Sequence, residues 1–412
     1  MKTTKLRISL LATLCLSAIT FYSCSSDDNS STIPPIDPVI PTENPLKLET
    51  NYNVNRSKSV LVKPDLTPFT IPSLVWKIIK IDDTVKDSVI SEQQQLDFIT
   101  LKTGKYTIDV EAKDTKNKVN QQFDIVVAKE TVEYSSKITK VFEYMPSYGQ
   151  FVNVLPKYEV GDTQETMNKK AEAALMKDNM ITLGGFGGYV TFGFDHTIVN
   201  VPGKRDFKVL GNAFKNSSEP GIIMVAYDKN KNGKPDEDEW YEIMGSEYNN
   251  PNTIHNYEIT FYKPSADLDA KEEGFDEYVK YKNNQGKEGY KPKNIYHKQS
   301  YYPLWIKENT LTFKGSKLPN NATDSSGKGT NWTLPEYEYG YVDNHPNNHI
   351  ESAFDIGWAI DKKGNKVHLP GIDFIKVYTA MDQEAGWFGE TSTEVAGASD
   401  LHLQGISIDT RK

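Results

Sequence analysis

Residues 221–243 read GIIMVAYDKNKNGKPDEDEWYEI, a stretch that is apolar and β-branched at both ends and polar in the middle. The ends are typical of β-strands, and the Asn-, Gly- and Asp-rich centre is typical of a tight connection between strands. Similar short apolar runs recur towards the end of the chain, among them YVTFGFD at 189–195, FDIGWAID at 354–361 and IDFIKVYTA at 372–380. Many short strands separated by Gly and Asn predict an all-β, jelly-roll-like sandwich for residues 137–412.

Two segments of this region depart from the strand pattern. Residues 163–178, TQETMNKKAEAALMKD, start with a Thr suited to helix capping and place Met167, Ala171, Ala174 and Leu175 at helical spacing. They predict the one helix of the region. Residues 263–300 are hydrophilic and rich in Lys, Glu and Asn, which predicts a long loop or insertion.

Residues 46–130 form a smaller region of short β-branched runs, including LVWKIIKI at 74–81 and YTIDVEA at 106–112. Their regular spacing predicts a small all-β domain. The string KTGKYTIDVEAKD at 102–114, in which Gly104 turns into an alternating strand, resembles the late strands of PKD-like immunoglobulin-fold domains. No polar side chains are concentrated in this region, so we interpret it as a spacer, with a binding module as the alternative.

The first 45 residues have the pattern of a lipoprotein leader and tether. In residues 1–23, Lys2, Lys5 and Arg7 precede a short apolar stretch, as in a signal peptide. Cleavage before Cys24 would allow its sulfur to be lipidated; a buried cysteine in an uncleaved helix is the alternative. The other cysteine, Cys15, would leave with the signal, so no intrachain disulfide is expected. Residues 24–45 are rich in Pro and Ser, which predicts an extended tether.

Composition excludes several classes of protein. The 412 residues include 47 Lys+Arg and 56 Asp+Glu, a net charge of −9 that argues against a nucleic-acid-binding surface. With 37% hydrophobic residues, the chain can bury a core, which argues against disorder. After the first 25 residues no apolar run is long enough to span a bilayer.

The polar centre of the opening stretch, DKNKNGKPDEDE at 228–239, predicts a Ca²⁺ site. Oxygen-bearing residues fall at the spacing of an EF-hand-like loop, and Gly233 stands where that loop turns sharply. Strand-like flanks indicate a calcium loop of a β-rich extracellular protein, in which the ion has a structural role; a solvated acidic turn is the alternative. The predicted ligands are Asp228, Asn230, Asn232, Asp236, Glu239 and the backbone carbonyl of Lys234.

Catalytic motifs find little support in the sequence. GGFGG at 184–188 lacks the Lys-Ser/Thr of a phosphate loop and precedes a strand, so we interpret it as tight packing at a strand entry. His345 and His349 are four residues apart, but Pro346 disfavours the helix that a metal pair would need, so we interpret this segment as a polar loop. Candidate oxygen ligands nearby are Asp343, Asn344, Glu351 and Asp355. A glycosidase pair requires only two suitably placed carboxylates, for which Glu390 and Glu394 are the best candidates. The polar face of a strand is the alternative and the favoured interpretation. We expect a protein that is not an enzyme.

Aromatic residues cluster in the last third of the chain, within loops rich in Gly and polar residues. Exposed rings beside polar loops suit a sugar, a corrin-like macrocycle or a protein partner, although core packing is the alternative. Tyr337, Tyr339 and Tyr341 alternate, which predicts that their rings share one strand face. The predicted ligand-binding residues are Trp332, Tyr339, Trp387 and Phe388.

Across about residues 140–405 the chain resembles the "cell surface protein" lipoproteins of Bacteroidota. The strings that carry the resemblance include ITLGGFGGYVTFGFDHTIVN at 181–200, YYPLWI at 301–306, YGYVDN at 339–344 and FDIGWAIDKKGNKVHLPGIDFIKVYTAMDQEAGWFGETSTEVAGASDLHL at 354–403. Acidic residues behind Cys24, at Asp27 and Asp28, likewise resemble a surface-export signal of such lipoproteins, with a polar spacer as the alternative.

The resemblance implies an N-terminal PKD-like module and display on the outer membrane, facing the exterior. It also implies association with TonB-dependent transporters, including those of cobalamin uptake. The main hypothesis is therefore a surface lipoprotein that binds a scarce nutrient, cobalamin or another corrinoid, and delivers it to such a transporter. The alternative hypothesis is a calcium-dependent glycan-binding lipoprotein or adhesin.

Overall fold

The computed structural model describes residues 43–411, and their fold is all-β, as predicted. The N-terminal part contains a five-stranded sheet whose first two strands pair in parallel and whose other pairs are antiparallel. In spatial order these strands are Asn51–Asn55, Lys118–Ala128, Gly104–Lys113, Ser73–Ile81 and Thr84–Ser91. A two-stranded sheet of Val60–Val62 and Leu96–Phe98 lies against it.

These two sheets share a core because alternate residues of their strands are apolar and point to the same side. Trp76, Ile108, Val110 and Ile125 are fully buried there, and Val62 contributes from the smaller sheet. The predicted small β-sandwich is thus seen in this part of the chain. A PKD-like identity stays a prediction.

The larger part is organised around a six-stranded antiparallel sheet, the central sheet. Its strands, in spatial order, are Ala359–Ile360, Trp240–Ile243, Gly221–Ala226, Gly371–Thr379, Tyr189–Val199 and Lys140–Met145. One face of this sheet is apolar and mostly buried. Its members include Val190, Phe192, Ile223, Val225, Ile375 and Val377.

Smaller sheets pack around the central sheet and contribute to the same core. A four-stranded sheet has the order Glu288–Lys293, Phe275–Asn283, Ile254–Tyr262 and Thr310–Lys317. A three-stranded sheet has the order Ala353–Phe354, Phe207–Leu210 and Gly397–Asp400. The remaining two-strand pairs are Lys204–Arg205 with Ile408–Asp409, Thr323–Asp324 with Trp332–Thr333, and Ile181–Thr182 with Glu394–Val395.

The predicted helix is confirmed over Gln164–Leu175, with the Thr163 side chain accepting a hydrogen bond from the N–H of Thr166. Its buried side chains include three of the predicted apolar residues, Met167, Ala171 and Leu175. A second helix, Ala266–Asp269, has only four residues. Single 3₁₀ turns occupy Glu237–Glu239, Ile350–Ser352, Ile356–Trp358 and Gly386–Phe388.

Two local predictions are wrong. Residues 263–300 are not a long loop, because Phe275–Asn283 and Glu288–Lys293 form a hairpin within the four-stranded sheet. Residues 335–341 are not a strand, so the alternation of Tyr337, Tyr339 and Tyr341 does not place their rings on one face. Gly340, with φ of +92°, bends the chain at this point.

The two parts contact each other, and both belong to one compact unit that includes residues 44–411. The N–H of Thr197 donates to the carbonyl of Ser57 at 2.9 Å, and Lys58 Nζ donates to the carbonyl of Asp195 at 2.7 Å. None of the helices in residues 43–411 is long and apolar enough to cross a membrane. The predicted signal peptide, Cys24 and nearly all of the tether lie outside the described residues.

Candidate functional site

A cleft of about 400 Å³, here called the aromatic cleft, opens beside the 3₁₀ turn Gly386–Phe388. Trp387 and Phe388 lie at this cleft and stack on each other with ring centroids 4.0 Å apart. They keep 50% and 40% of their surface exposed, which is unusual for large aromatic side chains. Tyr296 also lines the cleft and is exposed.

Two glycines fix the loop that presents these rings. Gly386 has φ of +56°, and a Cβ added there would lie 2.2 Å from Nε1 of Trp332. Gly389 has φ of +92°, and a Cβ added there would lie 2.5 Å from Oε1 of Gln150. Both positions therefore need glycine for conformation and for space.

Gln150 connects the loop to the inner part of the cleft. Its side-chain Nε2 donates to the carbonyl of Phe388 at 2.7 Å, and its backbone N–H donates to Oε1 of Glu390 at 2.6 Å. Its Oε1 is buried and has no hydrogen-bond partner among the described residues. A buried acceptor without a partner costs free energy.

Three carboxyl groups lie together beneath the cleft. Oxygen atoms of Glu219, Asp343 and Glu394 are all within 4.8 Å of one another, and Glu219 and Glu394 also line the cleft. Both oxygens of Asp343 accept backbone N–H groups, from Asn212 and Ala213 on one side and from Glu394 on the other. Asp343 therefore joins three separate segments of the chain.

Burial raises the pKa of each of these three carboxyls, and their mutual repulsion raises the pKa of Glu219 and Glu394 further. Burial also raises the pKa of Glu390, assisted by the nearby charge of Glu384. Carboxyls so close together share protons instead of ionising independently. Three carboxylates at this spacing could hold a cation only after losing those protons.

The structure brings three of the four predicted ligand-binding residues together. Trp387 and Phe388 line the cleft, and Trp332 packs against Gly386 at the base of the same loop. Tyr339 lies apart from these three residues. Its ring lies against Trp358 at 5.5 Å and below the guanidinium of Arg411, away from the lining of the cleft.

The predicted calcium loop connects two strands of the central sheet, Gly221–Ala226 and Trp240–Ile243. Asp228 accepts the N–H groups of Asn232 and Gly233 at 3.0 and 2.8 Å, so its carboxylate closes the loop. Asp236 Oδ2 accepts from the side-chain amides of Asn230 and Asn232 at 2.6 and 2.8 Å. The N–H of Lys234 donates to Asn232 Oδ1.

The carboxyl groups of this loop act on one another, although Asp228, Asp236 and Glu239 do not converge as closely as Glu219, Asp343 and Glu394 do. Glu239 is buried, and the charges of Asp228 and Asp236 add to the effect of burial in raising its pKa. Such mutual repulsion is what a divalent ion bound by oxygen ligands relieves. Gly233 has φ of +72°, as the sharp turn of the predicted loop requires.

Several residues of the aromatic cleft were missed by the sequence reasoning. Gln150 and Glu219 carry no local motif, and they reach the cleft from segments far from residues 386–394 along the chain. Glu390 and Glu394 were found as a pair, and both line the cleft. The sequence signal that located the aromatic cleft was the exposed dipeptide Trp387-Phe388, with glycine on both sides.

Comparison with known proteins identifies no family for the chain. No protein-family model and no curated protein matches it. Among solved structures, a SusE-like protein matches with 8% identity and a TM-score of 0.25, over 86% of this chain and 96% of that one. A structure titled for the promiscuous specificity of carbohydrate-binding modules of the β-sandwich superfamily matches with 10% identity and a TM-score of 0.16, over 86% and 95%. TM-scores this low carry no argument about function.

Proposed function

We propose that this chain is a lipid-anchored protein of the cell surface that binds a glycan in the aromatic cleft and does not transform it. Cys24, behind a signal peptide, would carry the lipid, and the outer membrane would be the site of anchoring. This proposal adopts the glycan-binding alternative of the sequence analysis.

The observation that carries the proposal is the exposed, stacked pair Trp387 and Phe388 beside the unpartnered Oε1 of Gln150. Sugar rings present an apolar face that packs on aromatic side chains and a rim of hydroxyls that pair with polar atoms. A volume of about 400 Å³ suits a short oligosaccharide. A corrin macrocycle with its side chains is larger, so cobalamin binding and delivery to a TonB-dependent transporter remain less favoured predictions.

The carboxyl groups beneath the cleft support binding without turnover. Asp343 is fully used as an acceptor of backbone N–H groups, and Glu390 holds the N–H of Gln150. These roles are structural. Hydrolysis is the second candidate function, because Glu219 and Glu394 both line the cleft with oxygen atoms less than 4.8 Å apart.

We further propose that Ca²⁺ binds the loop 228–239 and stabilises it. The ligands would be Asp228, Asn230, Asn232, Asp236, Glu239 and the carbonyl of Lys234. Because the loop does not line the aromatic cleft, the ion would act on the fold and not on the sugar.

A glycan array probed with the purified protein, with and without EDTA, tests the function, and titration with cyanocobalamin tests the competing ligand. We expect binding to a defined set of oligosaccharides, no heat from cyanocobalamin, and no new reducing ends after prolonged incubation. Binding of cyanocobalamin alone would contradict the proposal. New reducing ends that disappear with Glu394→Gln would favour the hydrolase.

A further inference from the structure

The central sheet has a second face, on which a few charged side chains lie among apolar and aromatic ones. Strand register places Glu143, Thr191, Lys376, Met224, Glu242 and Ile360 side by side in one row across all six strands. The opposite face of the same strands is the apolar core, so these side chains point away from it.

This face forms one wall of a cleft of about 800 Å³, here called the central-sheet cleft. The other wall comes from residues 312–316 of the last strand of the four-stranded sheet, together with His255 and Asn256. None of the residues that line it belongs to the aromatic cleft. A cavity of this size between two sheets has the dimensions of a ligand site.

Lys376 is the charged group at the centre of the row. Its Nζ lies 3.7 Å from the centroid of the Tyr189 ring, which is a close cation–π contact. It has no ion-pair partner among the described residues, and burial lowers its pKa despite the more distant charges of Glu143 and Glu237. Glu237 lines the same cleft but forms no ion pair with Lys376. A partly buried ammonium with no carboxylate at ion-pair distance is a position that an anionic ligand group would stabilise.

Further polar atoms converge from the opposite wall. Ser316 Oγ donates to Glu242 Oε2 at 3.3 Å and also lies 3.2 Å from Nδ1 of His255. Burial raises the pKa of Glu242 to about 7, so this carboxyl does not place a full negative charge in the cleft at neutral pH. Half-buried Trp240 and Tyr248 provide ring surface at the cleft.

We propose that the central-sheet cleft is a second binding site, which takes saccharides that carry a carboxylate and holds that carboxylate at Lys376 Nζ. Trp240 and Tyr248 pack against the sugar rings, and the Ser316–His255 pair binds hydroxyls. The site is independent of the aromatic cleft, and it stands whether or not that cleft binds a glycan.

Isothermal titration of the purified protein with two acidic saccharides tests this site: trigalacturonic acid and sialyllactose. Their uncharged counterparts are the methyl ester of trigalacturonic acid and lactose. We expect at least one acid to bind and its uncharged counterpart to bind at least about tenfold more weakly, as loss of a charge-assisted contact implies. Binding of trigalacturonic acid would identify a uronic acid as the ligand, and binding of sialyllactose would identify a sialic acid.

Variants locate the binding. Lys376→Met should weaken it about tenfold or more, whereas Lys376→Arg should retain most of it because the charge is kept. Lys86→Met on the exposed strand Thr84–Ser91 should leave it unchanged. Circular dichroism verifies that each variant is folded. If Lys376→Met does not fold, Trp240→Ala replaces it as the variant of the central-sheet cleft. Equal binding of acid and uncharged counterpart, no binding of either acid at millimolar concentration, or no effect of the cleft variants would overturn the proposal.

Discussion

The backbone N–H of Gln150 donates to Oε1 of Glu390 at 2.6 Å, joining two residues that are 240 positions apart in the chain. The same glutamine donates its side-chain amide to the carbonyl of Phe388. One residue thus fixes both the inner carboxyl and the exposed aromatic loop of the cleft. The geometry of the rings depends on this contact as much as on the loop itself.

Two substitutions at Glu390 distinguish the contribution of its hydrogen bond to stability from that of its charge. Because burial raises the pKa of Glu390, the neutral side chain of Glu390→Gln should substitute for it at pH 7 and keep the bond to Gln150. We expect Glu390→Gln to change the free energy of unfolding by less than about 1 kcal/mol, and Glu390→Ala to lower it by about 2–4 kcal/mol. Urea unfolding measures the free energy of unfolding of both variants. An equal decrease in the two variants would mean that the Glu390 carboxyl is ionised in the native state.

The loop of the aromatic cleft should not tolerate a side chain at Gly386. In Gly386→Ala, the new Cβ would meet the indole of Trp332 at 2.2 Å, so Trp387 must shift and glycan binding should fall. Gly405→Ala is the matched control, since Gly405 also has a positive φ, +70°, but nothing lies within 4 Å of its Cβ position. Titration of both variants with an array-selected glycan checks this, and equal affinities would show that the loop position is unimportant.

The cluster of Glu219, Asp343 and Glu394 should make stability depend on pH. The pKa values of all three carboxyls are raised in the folded protein. In the unfolded chain such groups titrate near about pH 4. Between that pH and the folded pKa values, the native state therefore binds more protons than the unfolded state. The free energy of unfolding should therefore fall as the pH rises from 5 to 9. Glu394→Gln should reduce this fall.

Urea unfolding at the two pH values measures the effect, with Glu273→Gln, an exposed carboxyl, as the control. A stability that increases with pH would show that the cluster is ionised in the native state. An unchanged slope in Glu394→Gln would assign the pH dependence to other groups.

Calcium binding at the loop 228–239 can be detected with Tb³⁺, because Trp240 directly follows the predicted ligand Glu239 and can sensitise the emission of a bound lanthanide. We expect emission that Ca²⁺ displaces, and a melting temperature that Ca²⁺ raises and EDTA lowers. Asp228→Ala and Glu239→Gln should abolish the emission, and Asp238→Asn, outside the ligand set, should preserve it. Emission unaffected by the first two variants would place the ion elsewhere.

Local sequence patterns predicted much of the fold. The strands around residues 189–195, 221–228 and 372–380, the helix after Thr163 and the exposed Trp387-Phe388 pair all follow from spacing and composition. What could not be predicted depends on strand register and on contacts distant in sequence. Lys376 and Glu242 share a row only because both strands pair with Gly221–Ala226 at Met224. Tyr339 was misplaced because the alternation of tyrosines was attributed to a strand that the Gly340 bend prevents.

Isothermal titration of an array-selected oligosaccharide into the purified protein, compared with Trp387→Ala, tests most directly whether the aromatic cleft binds glycans. The matched control is Tyr290→Ala, which removes a similarly exposed ring from outside the cleft. We predict that Trp387→Ala lowers the affinity at least about tenfold, as loss of a stacked aromatic contact implies, while Tyr290→Ala leaves it unchanged. Unaltered binding by a folded Trp387→Ala protein would contradict this account.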